Sequence, residues 1–527
     1  MNNYYSVIKP VLNKLRKLNV FDSLDVIRKY VYTSIYRKDV GYIQGIETPQ
    51  YYSVEVYFAD FLIKNCLIYS SIVREEKSLV QAKTRKEICK PIIDLQHKVN
   101  DIRMKEHPTV WVSSYFYNQI NMQPEGNEKL MLYRHFYMYN NSDVRAVIEE
   151  SLGFPLENYF RMLFFLYSCF VNHFSHPIEH LFFFFRNYAE ETDAKAIMYL
   201  LSVISKPLSE LRELCKDASR YDEDKIMEYY GDSAHVRFPL ISFEKKIYCV
   251  VPAYILFSAL DNLYHILNET NNQMIRNAFA KNYENYIGKI FDYYFKSSCI
   301  KYQSELLYKY GKKEKSTSDW IIWDETDICF IDCKIKRMTI SGQRANRIDK
   351  EWIEEIINDK PFSNSKRKDL YADKKESLTR DIIQFGIDLG KIYVCYDNYK
   401  ENRIEGFPYM PNKRFHACLL VFEQNFCKTY EIKNDIIRIA QSYRDYSSKE
   451  ITSIDEHEVT LISARDMERD IPLIANNGIA KVMEWEQNGN IYKYKEDNTF
   501  LRELSKSTLL DKLLQDIHER VGKVEKL

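Results

Sequence analysis

The sequence has little of what would place it among repetitive or flexible proteins. Of its 527 residues only 14 are glycine and 14 are proline, and neither a glycine/serine linker nor a fixed-period repeat interrupts the chain. Solenoids, collagen-like chains and long flexible linkers are therefore excluded. We expect closely apposed domains that are ordered nearly throughout.

An excess of one charge and long apolar runs are also lacking. Lys and Arg total 75, and so do Asp and Glu, so a binding site for a polyanion has to be local. The longest apolar stretch, Met162 to Val171, is too short to span a bilayer and predicts a buried core helix. We therefore expect no membrane partner.

The cysteine pattern and the missing motifs narrow the class further. The 11 cysteines include no CxxC pair, and the chain starts with no basic-then-apolar secretion signal. Free thiols and a cytoplasmic localisation are the expectation. The absence of GxSxG, GxxxxGK[ST] and GxGxxG motifs excludes readings as a triad hydrolase, an NTPase or a dinucleotide-binding protein.

Hydrophobic periodicity divides the chain into four predicted segments. Residues 1–235 are mostly helical, residues 236–274 hold a β-hairpin and a connecting helix, and residues 275–430 alternate helices and strands. Residues 431–527 form a small α/β extension that either packs on the preceding sheet or stands alone. The predicted fold class is α+β and multidomain.

The third segment carries the element order α-β-β-β-α-β with an insertion. After a helix over 275–295, its predicted elements are strands at 299–310, 319–323 and 327–335, helices at 350–358 and 377–388, and strands at 391–396 and 416–422.

The strand from Asp327 to Ile335 places an acid and an amine on one apolar face. Alternation puts Asp332 and Lys334 on the same side as Ile328 and Phe330. Burying a carboxylate and an ammonium is costly unless they meet each other, a metal or a substrate. Both side chains therefore need an explanation.

Antiparallel pairing brings a second acid to this strand. A tight turn at residues 324–326 is predicted to set Asp319 opposite Ile331, with its carboxylate beside that of Asp332. Crowded carboxylates repel, and Mg²⁺ or Mn²⁺ is the usual remedy. Lys334 would orient an attacking water or offset charge on a phosphate.

These residues resemble a known motif. Ser318-Asp319, followed by Ile331-Asp332-Cys333-Lys334, is similar to the P-D…(D/E)-x-K signature of the PD-(D/E)xK nucleases, with Ser318 in place of the frequent proline and Asp332 in place of the commoner glutamate. The resemblance implies a restriction endonuclease-like domain that hydrolyses DNA with Mg²⁺ or Mn²⁺. It also implies metal binding by Asp319, Asp332 and the Cys333 carbonyl, and a role in bacterial defence against foreign DNA.

Two further residues come from the same resemblance. Phe279 to Gly288 is similar to the helix that precedes the strands in many members, which makes Glu284 a candidate metal ligand. Glu305 is a competing candidate for that role. Alternatively, Glu284 is an exposed acid on the helix surface without a role in the site. The helix around Gln384 is similar to the one that supplies a catalytic glutamine in some branches.

A basic stretch follows the predicted catalytic strand. Between Asp332 and Asp349 the chain has five Lys or Arg residues and no acid. The stretch could follow a phosphate backbone into the site or be a solvated loop. Beyond Lys334, the nucleic-acid-binding candidates are Lys336, Arg337, Arg344 and Arg347.

Several alternatives stay open. Asp332 and Lys334 could form a structural ion pair on an edge strand. A zinc site could involve the cluster His173, His176, Glu179 and His180, although Pro177 disrupts its helical spacing. The whole protein could be an inactive nucleic-acid-binding or assembly protein, or an RNA-cleaving toxin-like nuclease. DNA is the expected partner, with self-association or an activating protein also open.

Overall fold

The protein is described from a computed structural model that covers residues 2–36, 56–72, 128–180, 191–220, 234–270, 272–310, 313–335, 348–360, 362, 378–422, 430–447, 452–487 and 499–507. It is a mixed α/β structure with two compact units. Unit 1 comprises Met1–Ala278 and Leu501–Leu527, and unit 2 comprises Phe279–Phe500.

Unit 1 is largely helical in its described parts. A four-stranded sheet of order β1-β4-β3-β2 accompanies the helices and is formed by β1 (Ser175–Pro177), β2 (Ser205–Pro207), β3 (Leu240–Phe243) and β4 (Lys246–Cys249). The helices are α1 (Asn2–Leu15), α2 (Val20–Tyr36), α3 (Val56–Tyr69), α4 (Glu128–Tyr139), α5 (Ser142–Leu152), α6 (Leu156–Asn172), α7 (Glu191–Ile204), α8 (Leu208–Arg220), α9 (Ala234–Arg237) and α10 (Ala253–Glu269).

Two sequence predictions for unit 1 are confirmed. The apolar stretch from Met162 to Val171 lies within α6, most of which is buried. The expected hairpin is β3 and β4, joined by Glu244 and Lys245, which both have φ of 47°. Positive φ at both central residues is the geometry of a type I′ hairpin turn, whose twist matches that of the strands.

Unit 2 is built around a five-stranded sheet of order β11-β10-β9-β8-β5. The strand β9 (Asp327–Lys334) is central, antiparallel to β8 (Trp320–Trp323) and parallel to β10 (Arg414–Val421). The outer strands are β5 (Lys301–Ser304), antiparallel to β8, and β11 (Val459–Ser463), parallel to β10. A separate hairpin consists of β6 (Leu307–Tyr310) and β7 (Lys313–Ser316).

The helices of unit 2 follow the expected positions with some extensions. In chain order they are α11 (Gln273–Phe295, which begins in unit 1), α12 (Lys350–Asp359), α13 (Leu378–Lys400), α14 (Tyr430–Ser447), α15 (Ala464–Asn477), α16 (Ile479–Gln487) and α17 (Thr499–Ser507, which ends in unit 1). Together with β5, β8, β9 and β10, helices α11 and α13 give the predicted α-β-β-β-α-β order. Part of the segment predicted as an extension adds to the preceding sheet, since β11 pairs with β10, whereas Leu501–Leu527 belongs to unit 1.

The prediction of a strand at residues 391–396 is wrong. These residues continue α13, which is buried along nearly its whole length from Ile382 to Tyr399. The run Ile392 to Tyr396 is β-branched and aromatic and too short to show a helical period, so its composition resembles that of a buried strand. Gly386 and Gly390 let α13 approach α14 closely, because a Cβ at Gly386 would lie 2.5 Å from the Cβ of Ile439.

Two predicted details of the strands are also wrong. Residues 299–310 form two strands, because the chain leaves the five-stranded sheet after Ser304 and begins the separate β6–β7 hairpin. The Thr317 N–H donates to the Leu306 carbonyl over 2.8 Å and closes the base of this hairpin. The β8–β9 register is shifted by one residue, with Trp320 opposite Ile331, since the connecting turn has two central residues, not three.

No helix among the described residues is long and apolar enough to cross a membrane.

Candidate active site

Three predicted residues meet at one edge of the unit 2 sheet. Lys334 ends β9, Asp332 lies two residues before it, and Asp319 immediately precedes β8. Continuing the observed register by one residue sets Asp319 opposite Asp332, which brings the acids together as expected although by a different pairing. The parallel strands β9, β10 and β11 all end at this edge.

Asp319 is held by the backbone of the neighbouring strand. Its Oδ2 accepts a hydrogen bond of 2.6 Å from the Cys333 N–H. Burial and the nearby Asp332 carboxylate raise the pKa of Asp319 to about 8, against the opposing effects of Lys334 and of the hydrogen bond. Two carboxylates that repel each other in a partly buried site are a common feature of functional centres.

Lys334 lies between two carboxylates. Its Nζ is 2.6 Å from Asp332 Oδ2 and 3.9 Å from Asp388 Oδ2, on helix α13. Burial alone would lower the pKa of Lys334, but Asp332, Asp388 and Asp319 raise it well above its usual range. These carboxylates therefore favour the charged form of Lys334 at neutral pH.

The structural ion pair considered from the sequence is present, but its setting differs. Asp332 and Lys334 do pair, yet β9 is the central strand of its sheet and not an edge strand. Their shared face packs against α13, where Phe330 contacts Tyr396 with ring centroids 6.0 Å apart. An ion pair on a covered central strand carries a desolvation cost that an edge strand would not impose.

Glu284 is positioned by the packing of α11 on β8. A Cβ at Gly288 would lie 2.5 Å from Trp320 Cζ2, so glycine allows the helix to rest on the indole. The Trp320 Nε1–H donates to the Glu284 carbonyl over 3.1 Å. The Glu284 carboxylate pairs with Lys281 at 2.6 Å, and it contributes to the raised pKa of Asp319.

Glu305, the competing acid, is tied to Asp319 through the backbone. Its N–H donates to the Asp319 carbonyl over 2.9 Å, while its side chain is exposed. The Glu284 carboxylate is among the charges that raise the pKa of Asp319 and of the buried Cys333 thiol. The charge of Glu284 therefore acts on the site.

Gln384 is connected to Lys334 through Asp388. Its Nε2 donates to Asp388 Oδ1 over 3.1 Å, and Lys391 pairs with the same oxygen at 2.6 Å. Asp388 is a residue that sequence reasoning missed. Its signal in the sequence is an acid four residues after Gln384 and three before Lys391, which places all three on one face of a helix.

The acids of this edge are oxygen donors of the kind that Mg²⁺ and Mn²⁺ prefer. Across the residues that the structure describes, no three His, Cys, Asp or Glu side chains lie close enough together to hold a metal ion. The predicted zinc cluster of His173, His176, Glu179 and His180 is among the residues to which this finding applies. The His176 Nε2 instead lies 2.5 Å from the Cys169 carbonyl oxygen. Mg²⁺ commonly keeps several waters and binds through one or two carboxylates, so Asp319 and Asp332 fit it.

Four predicted nucleic-acid-binding residues, Lys336, Arg337, Arg344 and Arg347, lie outside the described residues.

Comparison of the chain with protein-family models, with curated proteins and with solved structures finds no match to any of them.

Proposed function

We propose that this chain is a metal-dependent nuclease of the PD-(D/E)xK type that hydrolyses phosphodiester bonds in DNA. The observation that carries the proposal is the meeting of Asp319, Asp332 and Lys334 at one edge of a covered sheet, with a raised pKa at Asp319. The α-β-β-β-α-β order around these residues supports it. DNA as the substrate and a role in defence rest on the resemblance of the motif.

The donor set suits a hard divalent cation. Asp319, Asp332 and the Cys333 carbonyl would hold Mg²⁺ or Mn²⁺, while Glu284, whose carboxylate pairs with Lys281, would act on the site through its charge. When bound, the cation would relieve the repulsion of the carboxylates and polarise the phosphate that is attacked.

The side chains of the chain itself have separable tasks in this proposal. Lys334 would stabilise the charge that develops on the phosphate, because it is a cation held at a covered site. The Cys333 N–H orients Asp319 through its hydrogen bond of 2.6 Å. The Cys333 thiol takes no nucleophilic part, since burial raises its pKa far above the usual range.

Cleavage assays with purified protein test the proposal. Plasmid DNA, linear DNA and RNA are incubated in parallel with Mg²⁺, with Mn²⁺ or with EDTA. We expect DNA cleavage that requires the cation and stops in EDTA. Preferential cutting of RNA would favour the toxin-like alternative, and DNA binding without cleavage under any cation would favour an inactive binding or assembly protein.

Affinity for Mn²⁺ is expected to rise with pH up to about 8, the pKa of Asp319 in the metal-free protein. Below that pH Asp319 carries a proton that the cation has to displace, so affinity should fall by about tenfold per pH unit. Calorimetric titrations in buffers of different ionisation enthalpy would measure the released proton. Binding that does not vary between about pH 6 and pH 8 would contradict this assignment.

A further inference from the structure

Helix α13, which packs on the sheet beside β9, carries a carboxylate that lies next to Lys334 of the candidate active site. Asp388 is only 3% exposed. Its Oδ1 accepts hydrogen bonds from Lys391 at 2.6 Å and Gln384 at 3.1 Å, and its Oδ2 is 3.9 Å from the Lys334 ammonium. Each oxygen of this one carboxylate therefore has a partner of its own.

The burial of Asp388 needs a reason. Burying a carboxylate is unfavourable unless nearby charges and hydrogen-bond donors compensate for the lost water. Lys391 is 47% exposed and could pair with an acid at the surface, so it does not by itself account for an acid in the interior. Although burial would raise the pKa of Asp388, Lys334 and Lys391 lower it, and the group stays ionised.

If the site binds a cation, a second carboxylate would help to hold the Lys334 ammonium in place. Its closer partner is Asp332, at 2.6 Å, which is also a proposed metal ligand. A cation on Asp332 competes with the ammonium for that carboxylate and repels it. Asp388 is outside the proposed metal ligands, and its charge stays available to Lys334.

We propose that Asp388 is a positioning residue that holds the Lys334 ammonium at the active site while the cation occupies Asp332, and that Gln384 and Lys391 act by holding Asp388. This inference rests on the proposed nuclease function and deepens it. It also gives Gln384 a role through Asp388 in place of the direct catalytic role expected from the sequence.

The test is a double-mutant cycle between Asp388 and Lys334. Asp388→Asn keeps the shape of the side chain and removes its charge. We expect it to lower kcat by about 10- to 100-fold, with KM and Mn²⁺ affinity changed by no more than about twofold. In the Lys334→Met background the same substitution should change the residual kcat by less than about twofold, because its target is gone.

The same helix offers a matched control. Asp397 is also a buried acid paired with a cation, since Arg444 donates to it at 2.9 Å and 2.6 Å. Asp397→Asn should lower the melting temperature without changing kcat at temperatures where the protein is folded. A loss of kcat in Asp388→Asn that persists in the Lys334→Met background, or no loss at all, would overturn the inference.

Failure of the proposed function is separable from failure of this inference. If the native chain cleaves no nucleic acid, the melting temperatures of the four members of the cycle still report whether Asp388 and Lys334 are coupled. Non-additive shifts in melting temperature would then support the pairing of Asp388 with Lys334, while the missing cleavage would contradict the proposed nuclease function. Additive shifts, with or without activity, would discard the pairing.

Discussion

Replacing Lys334 by methionine is expected to lower the rate of DNA cleavage by about 100- to 1,000-fold while Mn²⁺ still binds. Methionine keeps most of the length of the side chain and removes the ammonium that is 2.6 Å from Asp332. Loss of a preorganised charge acts on the transition state, whereas the carboxylates that face the cation remain. Single-turnover rates and calorimetric Mn²⁺ titrations measure the two effects separately.

Asp332→Asn should behave differently from Lys334→Met. It removes a proposed metal ligand, so we expect Mn²⁺ affinity to fall by at least about 100-fold and cleavage to be lost with it. Glu325→Gln is the control, because Glu325 is an exposed acid in the turn of the same β8–β9 hairpin. Full activity in Lys334→Met and Asp332→Asn would mean that the active site lies elsewhere in the chain.

Replacing Asp327 by alanine is expected to lower the free energy of unfolding of unit 2 by roughly 3 kcal/mol. Asp327 is fully buried at the start of β9 and accepts hydrogen bonds from Arg414 Nε at 2.8 Å and His416 Nε2 at 2.7 Å. Thr326 donates a third, of 2.5 Å. Removing the carboxylate leaves the buried His416 ring without its hydrogen-bond acceptor. Alanine cannot accept a hydrogen bond, so the cost of burying this ring is no longer compensated.

The effect of Asp327 should depend on pH in one direction. Burial alone would raise its pKa, but hydrogen bonds from His416, Arg414 and Thr326 hold it well below the ordinary value. A depressed pKa stabilises the folded state above the unfolded pKa of about 3.9 and loses that contribution as pH falls below it. Calorimetry of the native chain and Asp327→Asn should therefore show a stability difference that is constant near neutrality and shrinks in acid.

The exposed acid Glu325, two residues away, is the reference for this comparison as well. Glu325→Ala should change the melting temperature little, since surface substitutions usually cost less than about 0.5 kcal/mol. An Asp327→Ala variant as stable as Glu325→Ala would show that the buried hydrogen bonds contribute nothing net.

The proximity of Asp319, Asp332 and Lys334 could be predicted from the sequence because strand periodicity acts over a few residues. The alternation of β9 places Asp332 and Lys334 on one face whatever packs on it, and a short turn brings the preceding strand alongside. Asp319 could therefore be placed beside Asp332 even though the expected register was one residue out. The turn length, which decides register, depends on the hydrogen bond from the Asp324 N–H to the Asp327 carbonyl and is not readable from composition.

Other features could not be read because they depend on distant partners. Residues 392–396 are mostly β-branched and aromatic, which favours a strand, but they lie in a helix between the sheet and α14, and this short run shows no helical period. Asp388 looks like any helix acid until the fold brings it within 3.9 Å of Lys334. Gln384 was found by resemblance, while its hydrogen bond to Asp388 came only from the structure.

By itself, the sequence determined the mixed helical and strand composition, the β3–β4 hairpin, and the three charged residues on and beside β9, because these follow from local periodicity. The type I′ geometry of the hairpin turn came from the structure. Only the tertiary structure decided which further charge joins Asp319, Asp332 and Lys334. The pKa of Asp319, the second partner of Lys334 and the addition of β11 to the sheet all arise between residues far apart in the chain. Burial and charge proximity are properties of the packed chain, and no window of sequence contains them.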